Sequence, residues 1–126
     1  MTGMRPEWNC MMNYKRGDVV LVRFPHSDLQ TYSKRPALVV QDEDIDTGLD
    51  QRVVVLITSN LQRRGETRVF VQKDSEEGQE MGLQTDSVIV ADNIATILPK
   101  VIDKTIGCCY LTMPNVEGAL RKVLRL

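Results

Sequence analysis

The stretch RVVVLIT, residues Arg52–Thr58, decides the fold because it is the most hydrophobic run of the chain and is rich in β-branched residues. β-branched side chains fit the pleated backbone of a sheet. A nearly continuous apolar run, without alternation of polar residues, is typical of a strand that is covered on both faces. We therefore predict that residues 52–58 form a central, fully buried strand of a β-sheet.

Further strand-like runs flank this segment on both sides and are separated by turn residues. In chain order they are DVVLVRF (18–24), ALVVQ (37–41), TRVFVQ (67–72), SVIVA (87–91) and IATIL (94–98), followed by one or two short pieces between 101 and 110. Pro36 precedes the second run, and a proline is tolerated at the edge or first position of a strand because its missing N–H costs nothing there. The pattern predicts a sheet of short strands.

Only the C-terminal segment has a helical pattern. Thr112 can cap a helix, and Pro114 falls in its first turn, where proline is tolerated. Apolar residues then recur with helical spacing at Val116, Leu120, Val123 and Leu124. The predicted fold class is mainly β, a small, strongly curved or barrel-like sheet with a C-terminal α-helix packed on it.

The charge of the chain is nearly balanced, with 16 Lys+Arg, 17 Asp+Glu and a formal net charge of -1. This balance excludes a protein that binds nucleic acid through bulk charge. Two acidic runs, 42–50 and 74–80, are polar and contain glycine, so we expect both to be loops. Binding of a short single strand would then depend on a few converging cations, namely Lys34, Arg35 and one of Arg63 and Arg64.

The N-terminal residues 1–14 have no clear period, and we expect them to be a tail before a single domain at 15–126. Met12 begins MNYKRGDVV, so residues 1–11 are interpreted as a start-site extension. The N-terminus has no basic head followed by an apolar core, and no run approaches the roughly 18 apolar residues of a membrane span. These features predict a cytoplasmic protein without membrane association.

The chain has three cysteines, of which Cys108 and Cys109 are adjacent. An odd number with this spacing does not predict a disulfide framework, and neighbouring cysteines without a further Cys/His cluster make a poor zinc site. We expect packing cysteines in a reducing compartment, and neither a metal ion nor a cofactor.

Polar residues collect at the predicted strand ends, where the loops of a β scaffold converge. They are His26, Ser27, Asp28, Lys34, Arg35, Thr58, Ser59, Asn60, Asp92 and Asn93. Each of them alone is also an ordinary turn residue. Their shared polarity predicts a joint site without proving one.

Five sequence blocks, in order and suitably spaced over residues 15–126, resemble the MazF/PemK toxin family. The blocks are KRGDV (15–19), RPALVV (35–40), VLITS (55–59), DSVIV (86–90) leading into IATI (94–97), and the helical Val116-x-x-Ala119-Leu120. The resemblance implies an SH3-like small β-barrel with a C-terminal helix, usually a homodimer. It also implies the toxin of a type II toxin–antitoxin system.

The activity implied by the resemblance is metal-independent endoribonuclease cleavage of single-stranded mRNA. The ribose 2′-hydroxyl attacks the adjacent phosphate and leaves a 2′,3′-cyclic phosphate and a 5′-hydroxyl. The implied partners are the RNA, a cognate antitoxin that occupies the RNA groove, and operator DNA bound together with that antitoxin.

The resemblance also implies roles for individual residues. Arg35 and Thr58 match the family's catalytic arginine and threonine, and a guanidinium is well suited to a phosphorane-like transition state. Asp92 falls where some members carry a general base, but an aspartate in a β-bulge or turn is an equal alternative. The predicted RNA-binding residues are His26, Ser27, Lys34, Ser59 and Asn60. For His26, a solvated loop histidine and a proton shuttle both stay open.

The chain departs from the family pattern at three places. No acid precedes Arg35 in QTYS (30–33), position 90 is Val90, and Ala95 stands where many members carry an arginine. The alternative is therefore a catalytically weak member that acts as a nucleic-acid- or antitoxin-binding module. A peptide-binding SH3-like adaptor fits poorly, because it needs an aromatic groove and only 5% of the residues are aromatic.

Overall fold

The computed structural model describes residues 14–62 and 65–126, and in these ranges the chain forms six strands and two α-helices. The strands are β1 Asp18–Pro25, β2 Tyr32–Val39, β3 Arg52–Thr58, β4 Arg68–Val71, β5 Ser87–Ile97 and β6 Ile102–Cys108. The helices are α1 Glu76–Met81 and α2 Met113–Leu124, and a 3-10 turn at Pro99–Val101 joins β5 to β6. The predicted tail, apart from Tyr14, and the two arginines at 63 and 64 lie outside the described residues.

The strands form one antiparallel sheet in the order β4-β5-β3-β2-β1-β6, so β3 is central as predicted. In the described part of the chain no ladder joins the outer strands β4 and β6. The predicted mainly β fold with a C-terminal helix is confirmed, and the sheet is open at its edges rather than a closed barrel.

Both faces of the central strands are buried, which explains why the sequence at 52–58 does not alternate. On one face Val55 and Leu38 pack with Met81 of α1 and Val116 of α2. On the other face a second cluster forms, made of Val20, Val22, Ala37, Val39, Val54 and Ile102. Burying a valine or leucine side chain contributes about 1.5–3 kcal/mol, so the two clusters together stabilise the sheet from both faces.

The second acidic run is not a loop, and this prediction was wrong. Ser75 caps α1 by accepting the Gly78 N–H at 3.0 Å, and Glu76 and Glu77 lie in its first turn. Acidic side chains stabilise that end of a helix because its N–H groups carry partial positive charge. The first run, 42–50, is irregular as predicted.

Two glycines let α1 pack closely on β6. A Cβ atom on Gly82 would lie 2.1 Å from the carbonyl oxygen of Ile106, and one on Gly107 would lie 2.4 Å from the carbonyl carbon of Met81. Gly82 also has a φ of 72°, the left-handed conformation that ends a helix. This contact holds the segment that follows α1 against the sheet, and that segment lines the cleft described below.

We expect Gly107→Ala to lower the free energy of unfolding by about 1–3 kcal/mol, because the added methyl group meets backbone atoms that cannot rotate away. Chemical denaturation measures this change. The matched control is Gly118→Ala on α2, where a Cβ meets nothing within 4 Å and where alanine is favoured over glycine by about 1 kcal/mol. Equal stability of the Gly107→Ala variant and the wild type would contradict this account of the contact.

Helix α2 packs by a face slightly rotated from the predicted one. Its buried residues are Met113, Val116 and Ala119, whereas Leu124 is 52% exposed. The helix ends at Leu124, and the backbone N–H of Arg125 closes the last turn by donating to Arg121. Thr112 occupies the predicted cap position, but its side chain makes no capping hydrogen bond.

Within residues 14–62 and 65–126, none of the helices has the length and apolar character needed to cross a membrane.

Candidate active site

A cleft of about 630 Å³ lies between the start of β2, the end of β3 and the segment after α1. It is larger than the depression of about 450 Å³ beside the acidic loop 42–50. Four of the predicted site residues line it, namely Lys34, Arg35, Thr58 and Ser59. Its other walls come from β1, β6 and residues 82–87, so distant parts of the chain build one surface.

Pro36 explains why β2 and β3 separate at this place. Val40 donates its N–H to the carbonyl oxygen of Val53 on β3. Because the N–H groups of a strand point alternately towards its two neighbouring strands, an N–H at position 36 would also point towards β3. A proline has no N–H to donate, and the ladder between the two strands begins only at Ala37, opposite Leu56. The strand begins at Tyr32, earlier than predicted, so the proline lies inside it and not at its first position. Because Pro36 has no N–H to bond to β3, the cleft opens at this point.

Arg35 on β2 and Thr58 on β3 both line this opening. If the register of Ala37 and Leu56 is continued by two residues, Arg35 stands opposite Thr58, and both side chains line the cleft. Thr58 Oγ1 accepts the Asn60 N–H at 3.1 Å, so its own O–H can be donated to a ligand. The exposed Arg35 side chain makes no hydrogen bond or ion pair with any described residue. The cleft thus offers a guanidinium and a hydroxyl as neighbouring donors.

Two lysines extend the positive surface. Lys34 Nζ lies 3.1 Å from Asp103 Oδ2, and Arg23 contacts the other oxygen of the same carboxylate at 2.7 Å. The hydrogen bond and charge of Lys34, together with Arg23, hold the pKa of Asp103 below its usual value, although desolvation opposes this shift. Lys104 on β6 lines the cleft and makes no ion pair within the described ranges. Sequence reasoning missed Lys104, because a lysine on an edge strand carries no signal by itself.

The loop between β1 and β2 holds His26 and Ser27 outside the lining of the cleft. The His26 ring bonds through Nδ1 to Thr31 Oγ1 at 2.7 Å and through Nε2 to Ser33 Oγ, so both ring nitrogens are engaged. Ser33 in turn lines the cleft. His26 therefore touches the site through Ser33, and its predicted contact with RNA stays a prediction, as does that of Ser27.

Two further side chains stabilise the loops at this end of the sheet. Asp28 accepts the N–H groups of Gln30 and Thr31 at 2.9 and 3.0 Å, and these bonds lower its pKa. Asn60 Oδ1 accepts the Gln62 N–H at 3.1 Å, which forms the turn after β3. Both are turn residues in the ordinary sense, and RNA binding by Asn60 stays a prediction.

Asp92 lies in a β-bulge and not in the lining of the cleft. Val55 pairs with Ile94 and Leu56 with Val90, so residues 91–93 are extra on β5. Arg68 lies 3.0 Å from Asp92 Oδ2. Burial raises the pKa of Asp92, but the hydrogen bonds and charge of Arg68 outweigh it and the pKa is lowered. A paired carboxylate of low pKa is a weak proton acceptor, and the general-base role stays a prediction that this geometry does not favour.

The cleft has the character of an anion site, because its described lining carries cations and no carboxylate, imidazole or thiol. Its lining, within the described residues, includes Lys34, Arg35 and Lys104 but no Asp, Glu, His or Cys. The described residues contain no group of three or more potential metal ligands. Cys109 is fully buried in the core as expected, and burial raises the pKa of its thiol to about 12. The arrangement can bind and polarise a phosphodiester.

Two of the three departures from the family pattern have packing reasons. Val90 is 2% exposed and lies between Leu56 on β3 and Arg68 on β4. A charged side chain at this position would therefore be buried. Ala95 packs against the second core cluster. Neither position contributes to the cleft.

Comparison with known proteins identifies the family of the chain and its fold. Residues 15–124 match the family of PemK-like, MazF-like toxins of type II toxin–antitoxin systems. No curated protein is significantly similar to the chain. Among solved structures, an endoribonuclease in complex with its cognate antitoxin from a mycobacterial species shares 26% identity, with a TM-score of 0.68 and coverage of 90% of this chain and 97% of that one.

Two further structures have the same fold. The Mycobacterium tuberculosis toxin MazF-mt6 shares 24% identity, with a TM-score of 0.66 and coverage of 86% of this chain and 97% of that one. A MazE–MazF structure from Deinococcus radiodurans shares 17% identity, with a TM-score of 0.69 and coverage of 90% and 99%. Because the family match spans well over half of the sequence, the chain belongs to the PemK-like, MazF-like toxins of type II toxin–antitoxin systems.

Proposed function

We propose that this toxin is a metal-independent endoribonuclease that cleaves single-stranded mRNA through attack of a ribose 2′-hydroxyl on the adjacent phosphate. The observation that carries the proposal is the position of Arg35 and Thr58 on opposite sides of one cationic cleft, opened between β2 and β3 by Pro36. A structure with 26% identity to this chain is described as an endoribonuclease, which supports the same activity.

In the proposed reaction the 2′-oxygen forms a bond to phosphorus while the bond from phosphorus to the 5′-oxygen breaks. Negative charge accumulates on the non-bridging oxygens in the transition state. Arg35 donates two parallel N–H bonds to these oxygens, and Thr58 donates its O–H. Donors that are already oriented stabilise this charge without reorganisation, which is the main catalytic effect available to the cleft.

Protons are exchanged with solvent in this scheme. None of the described residues lining the cleft can accept a proton at neutral pH, so the proton of the 2′-hydroxyl goes to water or hydroxide. A guanidinium keeps its proton in proteins, so Arg35 bonds to the phosphate without acting as the acid. The departing 5′-oxygen takes its proton from water. The products are a 2′,3′-cyclic phosphate and a 5′-hydroxyl.

The direct test is incubation of the purified protein with a long single-stranded RNA in EDTA, followed by analysis of the cleavage positions and end groups. We expect cleavage at short recurrent sequences with cyclic-phosphate and 5′-hydroxyl ends. RNA that is left intact at equimolar protein, or ends of the opposite type, would exclude this reaction.

We expect Thr58→Val to lower kcat/KM about tenfold, because it removes one neutral donor and keeps the shape of the side chain. Thr58→Ser is the matched control, since it retains the hydroxyl and also the acceptor for the Asn60 N–H. Initial cleavage rates of the two variants on one RNA decide the point. A serine variant as slow as the valine variant would show that the hydroxyl is not the active feature.

The same cleft is proposed to bind the cognate antitoxin. A structure with 26% identity to this chain holds an endoribonuclease together with its cognate antitoxin, and Lys34, Arg35 and Lys104 would attract an acidic segment. We also propose a cytoplasmic homodimer that binds operator DNA together with the antitoxin. A short reading frame beside the gene that encodes an acidic-tailed protein supports this proposal, and its absence would favour a role outside a toxin–antitoxin pair.

The alternative is a catalytically weak toxin that binds nucleic acid or antitoxin without rapid cleavage. The observation in its favour is that the described lining of the cleft lacks a proton acceptor. The cleavage assay in EDTA separates the two functions, because a pure binding module retains affinity for RNA and leaves it intact.

A further inference from the structure

A second surface continues the cleft along strands β1, β2 and β6. In the register of the sheet, Arg23 lies opposite Lys34, and Leu21 lies opposite Lys104. Directly paired residues share a face of the sheet, and so do alternate residues of one strand. Tyr32, Lys34, Arg23 and Lys104 therefore lie on one face, which we call the β1–β2–β6 face.

A β-bulge in β6 brings an acid to this face. Leu21 pairs with Lys104 and Val22 pairs with Ile102, so Asp103 is the extra residue between them. Its carboxylate accepts bonds from Arg23 at 2.7 Å and from Lys34 at 3.1 Å. One acid thus fixes the positions of two cations, while Lys104 makes no ion pair within the described residues.

Tyr32 is an exposed aromatic ring that is held in place from one side. The guanidinium carbon of Arg23 lies 5.8 Å from the centroid of the ring, and Tyr32 is 52% exposed. An exposed aromatic ring on a protein surface is a platform for a nucleic-acid base, since every base has a π-face. Asp103 holds Arg23, and Arg23 holds the ring, so little side-chain freedom is lost when a base stacks on it.

We propose that the β1–β2–β6 face is a binding subsite for a nucleotide that flanks the cleaved bond, with the base stacked on Tyr32 and a phosphate beside Lys104. This inference rests on the proposed ribonuclease function. Tyr32 and Arg35 are three residues, about 10 Å, apart along β2 and lie on opposite faces of this strand. Lys34 and Lys104 belong both to the β1–β2–β6 face and to the lining of the cleft, so they connect the two surfaces. The stacked base therefore belongs to a nucleotide beside the reacting one. Arg23 and Asp103 are positioning residues for the ring and for Lys34.

Binding is tested apart from cleavage with a fluorescein-labelled, mixed-sequence RNA of about 20 nucleotides whose riboses are 2′-O-methylated. This probe keeps the bases and phosphates and lacks the nucleophile. We expect Tyr32→Leu to weaken the affinity about tenfold. The control variant Tyr32→Phe keeps the stacking surface and should remain within about twofold of the wild type. Thermal unfolding of each variant verifies that the sheet is intact.

The dependence on salt separates the two contacts. Lys104→Gln should lower the slope of log K against log salt concentration by about 0.7, the value for one phosphate contact on a single strand, whereas Lys104→Arg and Tyr32→Leu leave the slope unchanged. The wild type and Tyr32→Leu are also assayed for cleavage of unmodified RNA in EDTA.

Each outcome decides the inference. Cleavage by the wild type together with equal affinity of the wild type and Tyr32→Leu for the probe overturns the subsite and leaves the ribonuclease intact. Loss of affinity in Tyr32→Leu but not in Tyr32→Phe supports the subsite, even if the wild type proves unable to cleave. Absence of measurable wild-type affinity for the probe overturns the subsite, whatever the cleavage assay shows.

Discussion

Arg35→Ala is expected to lower kcat/KM for RNA cleavage by about 10²–10³-fold, the largest effect of any single substitution in the cleft. A donor that acts on transition-state charge is worth about 3–4 kcal/mol. Arg35 has no partner among the described residues, so its removal should change catalysis without breaking a structural ion pair. The measurement is the initial rate at limiting substrate, on one RNA and in EDTA.

Two variants show which property of Arg35 matters. Arg35→Lys keeps the charge but loses the planar fork that binds two phosphate oxygens, so an intermediate rate is expected. Arg121→Ala removes the same charge from the last turn of α2, on the exposed side of the helix, and should leave the rate unchanged. Cleavage that persists in Arg35→Ala would show that the reaction takes place elsewhere.

The strands were predictable because their signal is local. The continuous apolar run at 52–58 could only be a strand covered on both faces, and the structure confirms it at Arg52–Thr58. Helix α1 was missed because its six residues are too few for an apolar period. Its signals were the cap at Ser75 and the left-handed glycine at position 82, both of which are also typical of a loop. The open edge of the sheet depends on pairing between distant strands, which no local pattern contains.

The candidate site was predictable only in part. Arg35 and Thr58 stood out through the family resemblance, and the structure brings both to one cleft. Lys104 could not be found, because its place beside the cleft follows from the pairing of β6 with β1. The sequence also gave no sign that Arg68 pairs with Asp92, since 24 residues separate them. Pairing between distant residues thus accounts both for the position of Lys104 and for the lowered pKa of Asp92, which makes it a weaker base.

The rate of cleavage is expected to rise about tenfold per pH unit around neutrality, or about a hundredfold from pH 6 to pH 8. No described residue of the cleft accepts a proton in this range, so the rate should follow the fraction of 2′-alkoxide in equilibrium with hydroxide. The alternative assigns the proton to Asp92. The lowered pKa of Asp92 means that this group is already ionised well below neutral pH, so the rate would then be flat from pH 6 to pH 8.

Single-turnover rates across this range, at constant ionic strength, measure the slope. Asp92→Asn is the decisive variant, because it removes the carboxylate and keeps its shape. If solvent takes the proton, the variant retains the slope and a rate close to that of the wild type. The substitution removes the ion pair with Arg68, which is partly exposed and contributes little to stability, while the amide oxygen can still accept the hydrogen bond from Thr67 Oγ1. A flat profile in the wild type, together with a large loss of rate in Asp92→Asn, would instead make Asp92 the base. The bulge in β5 would then have to move to bring Asp92 to the cleft.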